Sequence, residues 1–196
     1  MRYSEIHKEQ TRLRVLTEAA AAIRAKGAER VGVAEVMAAA GLTHGGFYAH
    51  FESKDDLIAQ AITHMFDRAY NDRFVRLTEG LEPAAAIASY VDFYLSRSHR
   101  LERATGCPIP TLSGDLPNLP DRARERFTNG MERVVAALAK LAKKLGAKDA
   151  EALAWSAIAE MAGAVALSRI VSQKRAEQIL RTSRATVKAR LGVGAR

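Results

Sequence analysis

The stretch AGLTHGGFYAHFESKDDL, residues 40–57, places a tight turn, a short helix and the start of a third helix close together in the chain. Gly41 can adopt the positive φ that a turn between two crossed helices requires, and Thr43 is suited to be the N-cap of the helix that follows. Phe47 and Phe51 lie four residues apart and would anchor that helix from one side. This order of elements is typical of a helix-turn-helix motif.

The rest of the chain has helical periodicity too. Apolar residues recur at helical spacing and no convincing period-two strand pattern is present, so the fold is predicted to be all-α. Around the turn we predict helices over about 8–26, 33–40 and 44–51. These three helices would form an N-terminal helix-turn-helix unit.

A long helix is predicted to connect this unit to the remainder of the chain. Ser53 followed by Asp56 is a capping signature, and it opens a predicted helix over 53–78. The prolines and glycines within 106–120 exclude a long regular helix there. The remaining predicted helices cover 83–103, 121–145, 149–171 and 174–191.

The charge of the chain favours a polyanionic partner, such as nucleic acid or an anionic membrane surface. The 196 residues carry a formal net charge of +8, and the sequence pI is about 9.9. Residues 173–196 contain seven basic residues against the single acidic residue Glu177, whereas the charges within residues 1–55 nearly balance. The excess positive charge therefore does not lie on the helix-turn-helix unit.

Cysteine content and hydropathy indicate the compartment. Cys107 is the only cysteine, so an internal disulfide and a structural zinc site are excluded, and a reducing cytoplasm is the expected location. The first residues lack the apolar run of a signal peptide, and the longest purely apolar stretch, about 161–167, is too short to cross a bilayer. We expect a cytoplasmic protein with no membrane partner, no metal and no cofactor.

Residues 1–60 resemble the TetR family of bacterial transcription regulators. The resemblance is carried by the run from Gly41 to Phe51, with its Tyr-x-His-Phe ending, and by Ser53-Lys54. It implies a DNA-binding domain over 1–53 and a helical effector-binding and dimerisation domain over 54–196. It also implies a homodimeric repressor that a small-molecule effector releases from a palindromic operator.

The start of the 44–51 helix is the predicted DNA-contacting surface, because a helix N-terminus presents free amides to phosphates. Neither Arg nor Gln is available there for bidentate base recognition, so we expect much of the specificity to come from phosphate positioning and DNA shape. The family resemblance adds phosphate contacts by Tyr48 and His50, although Tyr48 could instead pack in the core and His50 could merely cap its helix. The candidate DNA-binding residues are Thr43, His44, Gly45, Gly46, Tyr48, His50 and Lys54.

The last two predicted helices, about 149–191, are candidates for the dimer interface. The first of them is rich in alanine and carries Gly163, and small residues allow close helix packing, either within the chain or between two copies. An effector would bind among large side chains of the C-terminal region, each of which could equally be ordinary core. The candidate effector-pocket residues are Phe66, Tyr70, Tyr90, Phe93, Tyr94, Cys107, Phe127, Trp155 and Met161.

Cys107 suggests an alternative in which a regulator of the same family senses electrophiles or oxidants. It lies at the entry to a possible short helix, whose free amides would lower the thiol pKa, and Arg100 and Arg103 lie upstream. The competing interpretation is an inert buried thiol.

Two alternatives from other functional classes are an enzyme and an anionic-surface or RNA binder. A small enzyme could use Cys107 as nucleophile and His99 as base, but no further catalytic group lies near them in the sequence, so we predict no enzyme. The basic last helix could bind an anionic surface or RNA, although its charges could equally form a solvated face. Those charges are Arg181, Arg184, Lys188 and Arg190.

Overall fold

The computed structural model describes residues 2–194, and helices connected by short turns account for most of this range. No strand occurs in residues 2–194, which confirms the all-α prediction. Two 3-10 helices, His44–Ala49 and Leu116–Asn118, and a π-helical segment, Tyr70–Val75, complete the fold. The α-helices are α1 (Arg2–Lys26), α2 (Val33–Ala39), α3 (Lys54–Ala69), α4 (Arg76–Thr78), α5 (Pro83–Tyr94), α6 (Arg97–Leu101), α7 (Ile109–Leu112), α8 (Asp121–Lys144), α9 (Ala150–Ser168) and α10 (Gln173–Arg190).

Helix α3 begins where the sequence predicted. The Ser53 side chain accepts a hydrogen bond from the Asp56 amide at 3.1 Å, which satisfies one of the free amides at the helix start. The Asp56 carboxylate accepts from the Glu52 amide at 3.2 Å, so the two side chains cap the helix together. This cap fixes the point at which the chain leaves the helix-turn-helix unit.

The predicted uninterrupted helix over 53–78 is wrong in its middle, where the chain forms the π-helical segment before returning to α4. The wider turn places two aromatic rings in different surroundings. Phe74 is buried and meets Tyr90 of α5 edge-on at 4.8 Å between ring centroids. Tyr70 is half-buried and lies under the Arg133 guanidinium, 4.3 Å from its ring centroid.

The predicted helix over 83–103 is divided into α5 and α6. Ser96 caps α6 by accepting a hydrogen bond from the His99 amide at 3.1 Å. A second N-cap in the middle of an apolar pattern ends one helix and starts another at a new angle. The following segment, 106–120, contains only the four residues of α7 and a 3-10 turn, in agreement with the proline content.

Helix α8 packs closely along α3 because Gly130 removes a side chain at the contact. A Cβ placed on Gly130 would overlap the ring atoms and the Cβ of Phe66. The ring of Phe66 then lies edge-on to Phe127 of α8, with 5.1 Å between centroids. A larger residue at position 130 would separate the two helices.

Helix α9 is long and apolar enough, by length and composition alone, to cross a membrane. Its side chains Ala154, Ile158, Met161 and Val165 are buried, and the helix packs against α7, α8 and α10. We therefore interpret α9 as a core helix of the C-terminal domain.

Replacing Gly130 with alanine tests the contact between α3 and α8. Overpacking against Phe66 costs roughly 3 kcal/mol, and the better helix propensity of alanine recovers about 1 kcal/mol. We expect the free energy of unfolding to fall by about 2 kcal/mol and Tm to fall by about 4 to 8 °C in a thermal melt. Thr128→Ala, at an exposed position of the same helix, is the control and should leave stability within about 0.5 kcal/mol. A melt of Gly130→Ala that matches the parent would contradict this account.

Candidate nucleic-acid interface

The turn of the predicted helix-turn-helix motif forms as expected. Helix α2 ends at Ala39, and Gly41 adopts a φ of +71°, which a residue with a side chain rarely does. The Leu42 amide donates to the Met37 carbonyl at 2.9 Å and closes the end of the helix. The chain is thereby redirected into the next helical element, as a helix-turn-helix requires.

The element that follows is a 3-10 helix over His44–Ala49, so the prediction of an α-helix over 44–51 is wrong in type and extent. Glycines at positions 45 and 46 carry the lowest helix propensity after proline, and the tighter 3-10 form is common in such short pieces. Thr43 occupies the N-cap position, as predicted. Its side chain makes no capping hydrogen bond, so the predicted capping contact is absent. The first turn of the helix forms instead through the Gly46 amide, which donates to the Thr43 carbonyl at 3.1 Å.

Two phenylalanines hold the His44–Ala49 helix, named the recognition helix below, against the core. Phe47 and Phe51 are both buried, and their rings stack with 5.6 Å between centroids. Tyr48 is 73% exposed and only touches the edge of Phe47, so its ring does not belong to the core. Thr43, His44 and Gly45 are also exposed, which leaves one polar face of the helix open.

His50 lies at the end of the recognition helix beside two cations that sequence reasoning missed. Burial, with Lys8 and Arg12 of α1 nearby, lowers the pKa of the His50 imidazole below its usual value. Arg12 also lies over the Phe51 ring, 5.7 Å from its centroid. The two cations are four residues apart on α1, and this spacing is the signal that could have revealed them.

Lys54 has a contact that its sequence position did not predict. Its ammonium donates to the Glu29 carbonyl at 2.8 Å, which ties the start of α3 to the loop between α1 and α2. Asp56, two residues further along, is buried and lies 3.1 Å from the Arg122 guanidinium at the start of α8. The helix-turn-helix unit is thus connected to the C-terminal helices by an ion pair as well as by apolar packing.

The chain matches two models of known protein families. A family model described as "Bacterial regulatory proteins, tetR family" matches residues 15–61, and one described as "Tetracyclin repressor-like, C-terminal domain" matches residues 83–184. The chain belongs to the TetR family. Proteins of this family are DNA-binding transcriptional repressors with a ligand-binding C-terminal domain, so the helix-turn-helix of this TetR-family protein is its DNA-binding element.

Solved structures agree with this assignment. A TetR transcriptional regulator from Chloroflexus aurantiacus J-10-FL has a TM-score of 0.81 and 27% identity, over 99% of this chain and 98% of that one. The reduced form of Escherichia coli NemR has a TM-score of 0.80 and 21% identity, over 92% and 96% of the two chains. A TetR-family regulator from Cytophaga hutchinsonii has a TM-score of 0.81 and 18% identity, over 97% and 98%. A comparison with curated proteins finds no match.

One chain of touching rings contains three of the aromatic residues predicted for an effector pocket, Tyr70, Tyr90 and Tyr94, which are linked through Phe74. Tyr90 and Tyr94 are buried and contact each other edge-on at 5.8 Å between centroids, and Phe93 is half-buried beside Arg73. The pair of Phe66 and Phe127 and the stacked pair of Tyr70 and Phe74 lie along α3, α8 and the π-helical segment. Met161 is buried in α9, whereas Trp155 lines a groove of about 750 Å³ between α8 and α9.

The prediction that the local setting lowers the pKa of the Cys107 thiol is wrong in direction. The side chain is buried, and burial raises the pKa of the thiol above its usual value, so the thiolate is disfavoured. Hydrogen bonds with the Tyr94 side chain and the Ile109 backbone act to lower the thiol pKa, but they do not offset burial. The nearby cations that also act to lower it are Arg24 and Arg169 rather than the predicted Arg100 and Arg103. This environment matches the alternative, an inert buried thiol.

His99 and Cys107 do not form a nucleophile and base pair. The Cys107 amide donates to His99 Nε2 at 3.2 Å, and His99 Nδ1 lies 2.7 Å from the Tyr94 carbonyl oxygen. One ring nitrogen therefore accepts and the other donates, which fixes a neutral imidazole, and burial lowers its pKa. Both nitrogens are used by the backbone, so His99 holds the 106–108 turn against α5 and has no free base function.

The accessibility of Cys107 gives a direct test, because it is the only thiol. Burial and a raised pKa both reduce the thiolate that a disulfide reagent attacks. We expect the folded protein to react with Ellman's reagent at least about tenfold more slowly than the protein unfolded in guanidinium chloride at the same pH. Equal rates in the two states would restore the thiol-sensing interpretation.

Proposed function

We propose that two copies of this chain bind a palindromic DNA operator as a repressor and that a small molecule bound to the C-terminal domain releases them. The observation that carries this proposal is the exposed polar face of the recognition helix, held on two buried phenylalanines and set beside cations from α1. Such a face supplies groups for base edges and phosphates on a rigid support.

The contacts divide by chemistry. Thr43, His44, Gly45 and Gly46 lie at the start of the recognition helix and would face the major groove, where two glycines allow the backbone to approach closely. Tyr48, His50 and Lys54 would contact phosphates through a hydroxyl, an imidazole and an ammonium. In the free protein Lys54 is already bound to a carbonyl of the α1–α2 loop, so its phosphate contact would use its remaining protons.

The dimer would form through the last two helices, within the predicted region 149–191. The exposed side of α9 and the turn that follows it carry a stripe of small and apolar residues. Its two large members, Leu167 of α9 and Ile170 of the turn, are 55% and 79% exposed. A contiguous apolar stripe on a soluble regulator marks a protein interface, and small residues let helices of two copies approach closely. The stripe consists of Ala152, Ser156, Ala159, Gly163, Leu167 and Ile170.

The effector would bind near the aromatic residues between α3, α5 and α8. An opening of about 190 Å³ between α3 and α8 reaches Phe66 and is also lined by Gly130 and Arg133. The Phe66 ring contacts Phe127 deeper in the domain. A ligand entering here would displace side chains along the linking helix α3, and such a displacement is the differential contact that allosteric release requires.

Selection of binding sites from random duplex DNA, followed by mobility shifts at several salt concentrations, tests the function. We expect a palindrome whose half-sites are about 34 Å or a multiple apart, with affinity that falls as salt rises. Tyr48→Phe, which lacks only the exposed hydroxyl, should weaken binding to the selected site by roughly tenfold. Tyr70→Phe, remote from the recognition helix, should not. Steep salt dependence without any sequence preference would contradict an operator-specific regulator and favour a general anionic-surface binder.

Introducing a charge on the α9 stripe tests the dimer. Ala159→Arg would place an unpaired cation in the apolar contact, which costs several kcal/mol when buried. We expect the variant to shift to a monomer in analytical ultracentrifugation while its helical circular dichroism is retained. Thr128→Arg, on the exposed face of α8, is the matched control and should remain dimeric. A dimeric Ala159→Arg protein would place the interface elsewhere.

A further inference from the structure

A crevice of about 400 Å³ lies between the end of α1 and the 103–119 segment. One wall belongs to the DNA-binding unit and includes Arg24, Lys26 and Arg30. The other wall belongs to the C-terminal domain and includes Arg103 and Asp115. Four cationic side chains and two carboxylates line the crevice, so its walls carry net positive charge.

The cations of the crevice are short of partners. Within the described residues, 2–194, no carboxylate lies within ion-pair distance of Arg24, Arg30 or Arg103. Lys26 is the exception, because it pairs with Glu35 outside the crevice. A cluster of unpaired guanidinium groups attracts anions, since each offers a planar fork of donors that matches carboxylate and phosphate oxygens.

Arg24 is the strongest member of this cluster. Its side chain is only 6% exposed, and one guanidinium nitrogen donates to the Ala104 carbonyl at 3.2 Å. Its Nε is buried and has no hydrogen-bond partner within residues 2–194. Burial lowers the pKa of Arg24 to about 10, so the group still carries its charge at neutral pH. A buried, charged and incompletely bonded group of this kind destabilises a fold unless an anion offsets it.

Arg169, which follows α9, contacts the wall of the crevice from outside. Arg169 donates to the Thr111 hydroxyl on the wall at 3.0 Å and to the Arg100 carbonyl at 3.0 Å. Its third nitrogen is buried without a hydrogen-bond partner, and no carboxylate pairs with it in the part of the chain that the structure describes. Within the described residues, guanidinium groups without a carboxylate partner therefore lie at the end of α1, on the wall of the crevice and at the end of α9.

We propose that this crevice binds a small oxyanion with two or more negative charges, a phosphate monoester or a polycarboxylate, and that this binding is coupled to operator binding. The anion would contact Arg24 on the DNA-binding unit and Arg103 on the C-terminal domain at the same time. It would thus stabilise one relative placement of the two parts. The coupling rests on the function proposed above, whereas the anion site does not.

Calorimetric titration and thermal melts of the free protein test the site, with inorganic phosphate and citrate as probes at matched ionic strength. The probe that fits should raise Tm by about 3 to 6 °C at ten times its Kd, and the identity of that probe decides between phosphate and polycarboxylate. Arg24→Gln should abolish the shift. Because Arg24 is buried and its variant could fail to fold, Arg103→Gln, at an exposed position, is the second variant and should weaken binding at least tenfold.

Two controls separate this site from general anion binding. Arg76→Gln changes an exposed arginine outside the crevice, and His50→Gln changes the DNA-facing surface. Both should retain the full shift. If neither phosphate nor citrate raises Tm, or if the Arg103→Gln protein binds the probe as the parent does, the site is overturned.

Operator affinity with and without the bound anion tests the coupling. Thermodynamic linkage requires that the anion change operator affinity by the same factor by which operator changes anion affinity. We expect a change of at least fivefold in the parent and none in Arg103→Gln. Equal operator affinities of the parent with and without the anion would refute the coupling and leave the site intact. If the protein binds phosphate or citrate but selects no operator, the proposed function alone is refuted.

Discussion

Helix α3 is packed on two sides, and this double packing is the constraint on which the rest of the molecule depends. Its apolar residues, among them Leu57, Ile62 and Met65, are fully buried between α1 of the DNA-binding unit and α8 of the C-terminal domain. The buried residues on both sides form one continuous core, so α3 cannot shift relative to one neighbour without repacking against the other, because protein interiors are close-packed. The Asp56 to Arg122 ion pair adds a polar link at the same place. A change in how α3 packs on one part is therefore transmitted to the other part.

The recognition helix depends on α3 in turn. Its low-propensity glycines leave it with little intrinsic stability, and Phe47 and Phe51 attach it to the core shared by α1 and α3. Its position is therefore set from outside rather than by its own hydrogen bonds. An element of this kind can present backbone to DNA and still be placed accurately, provided that the supporting helix does not move. Release by an effector would then require only a change in how α3 packs on α8.

Much of the fold follows from local sequence. The capping signature at Ser53, the turn glycine at Gly41 and the apolar periodicity of α8 each predicted what the structure contains, because each acts within one helical turn. The predictions were wrong where contacts between residues far apart in the sequence determine the local structure. The π-helical segment accompanies the packing of Phe74 against Tyr90, and the environment of Cys107 is set by residues from α1, α5 and α9 that no neighbouring position reveals. The candidate DNA-contacting residues could be proposed because they lie within one short stretch, 43–54, whereas Lys8 and Arg12 lie on a helix far away in the sequence.

The π-helical segment carries a consequence for how this protein tolerates change. A π turn contains more residues than an α turn, so the segment over 70–75 acts as an extra residue absorbed within a continuous helical rod. Deleting one residue there would let the rod close into regular α-helix and would keep the residues beyond it on their present faces. The same deletion within α3 would rotate everything beyond it by about 100°, and Phe74 would leave the core. Insertions and deletions between α3 and α5 are therefore constrained by angle as well as by length.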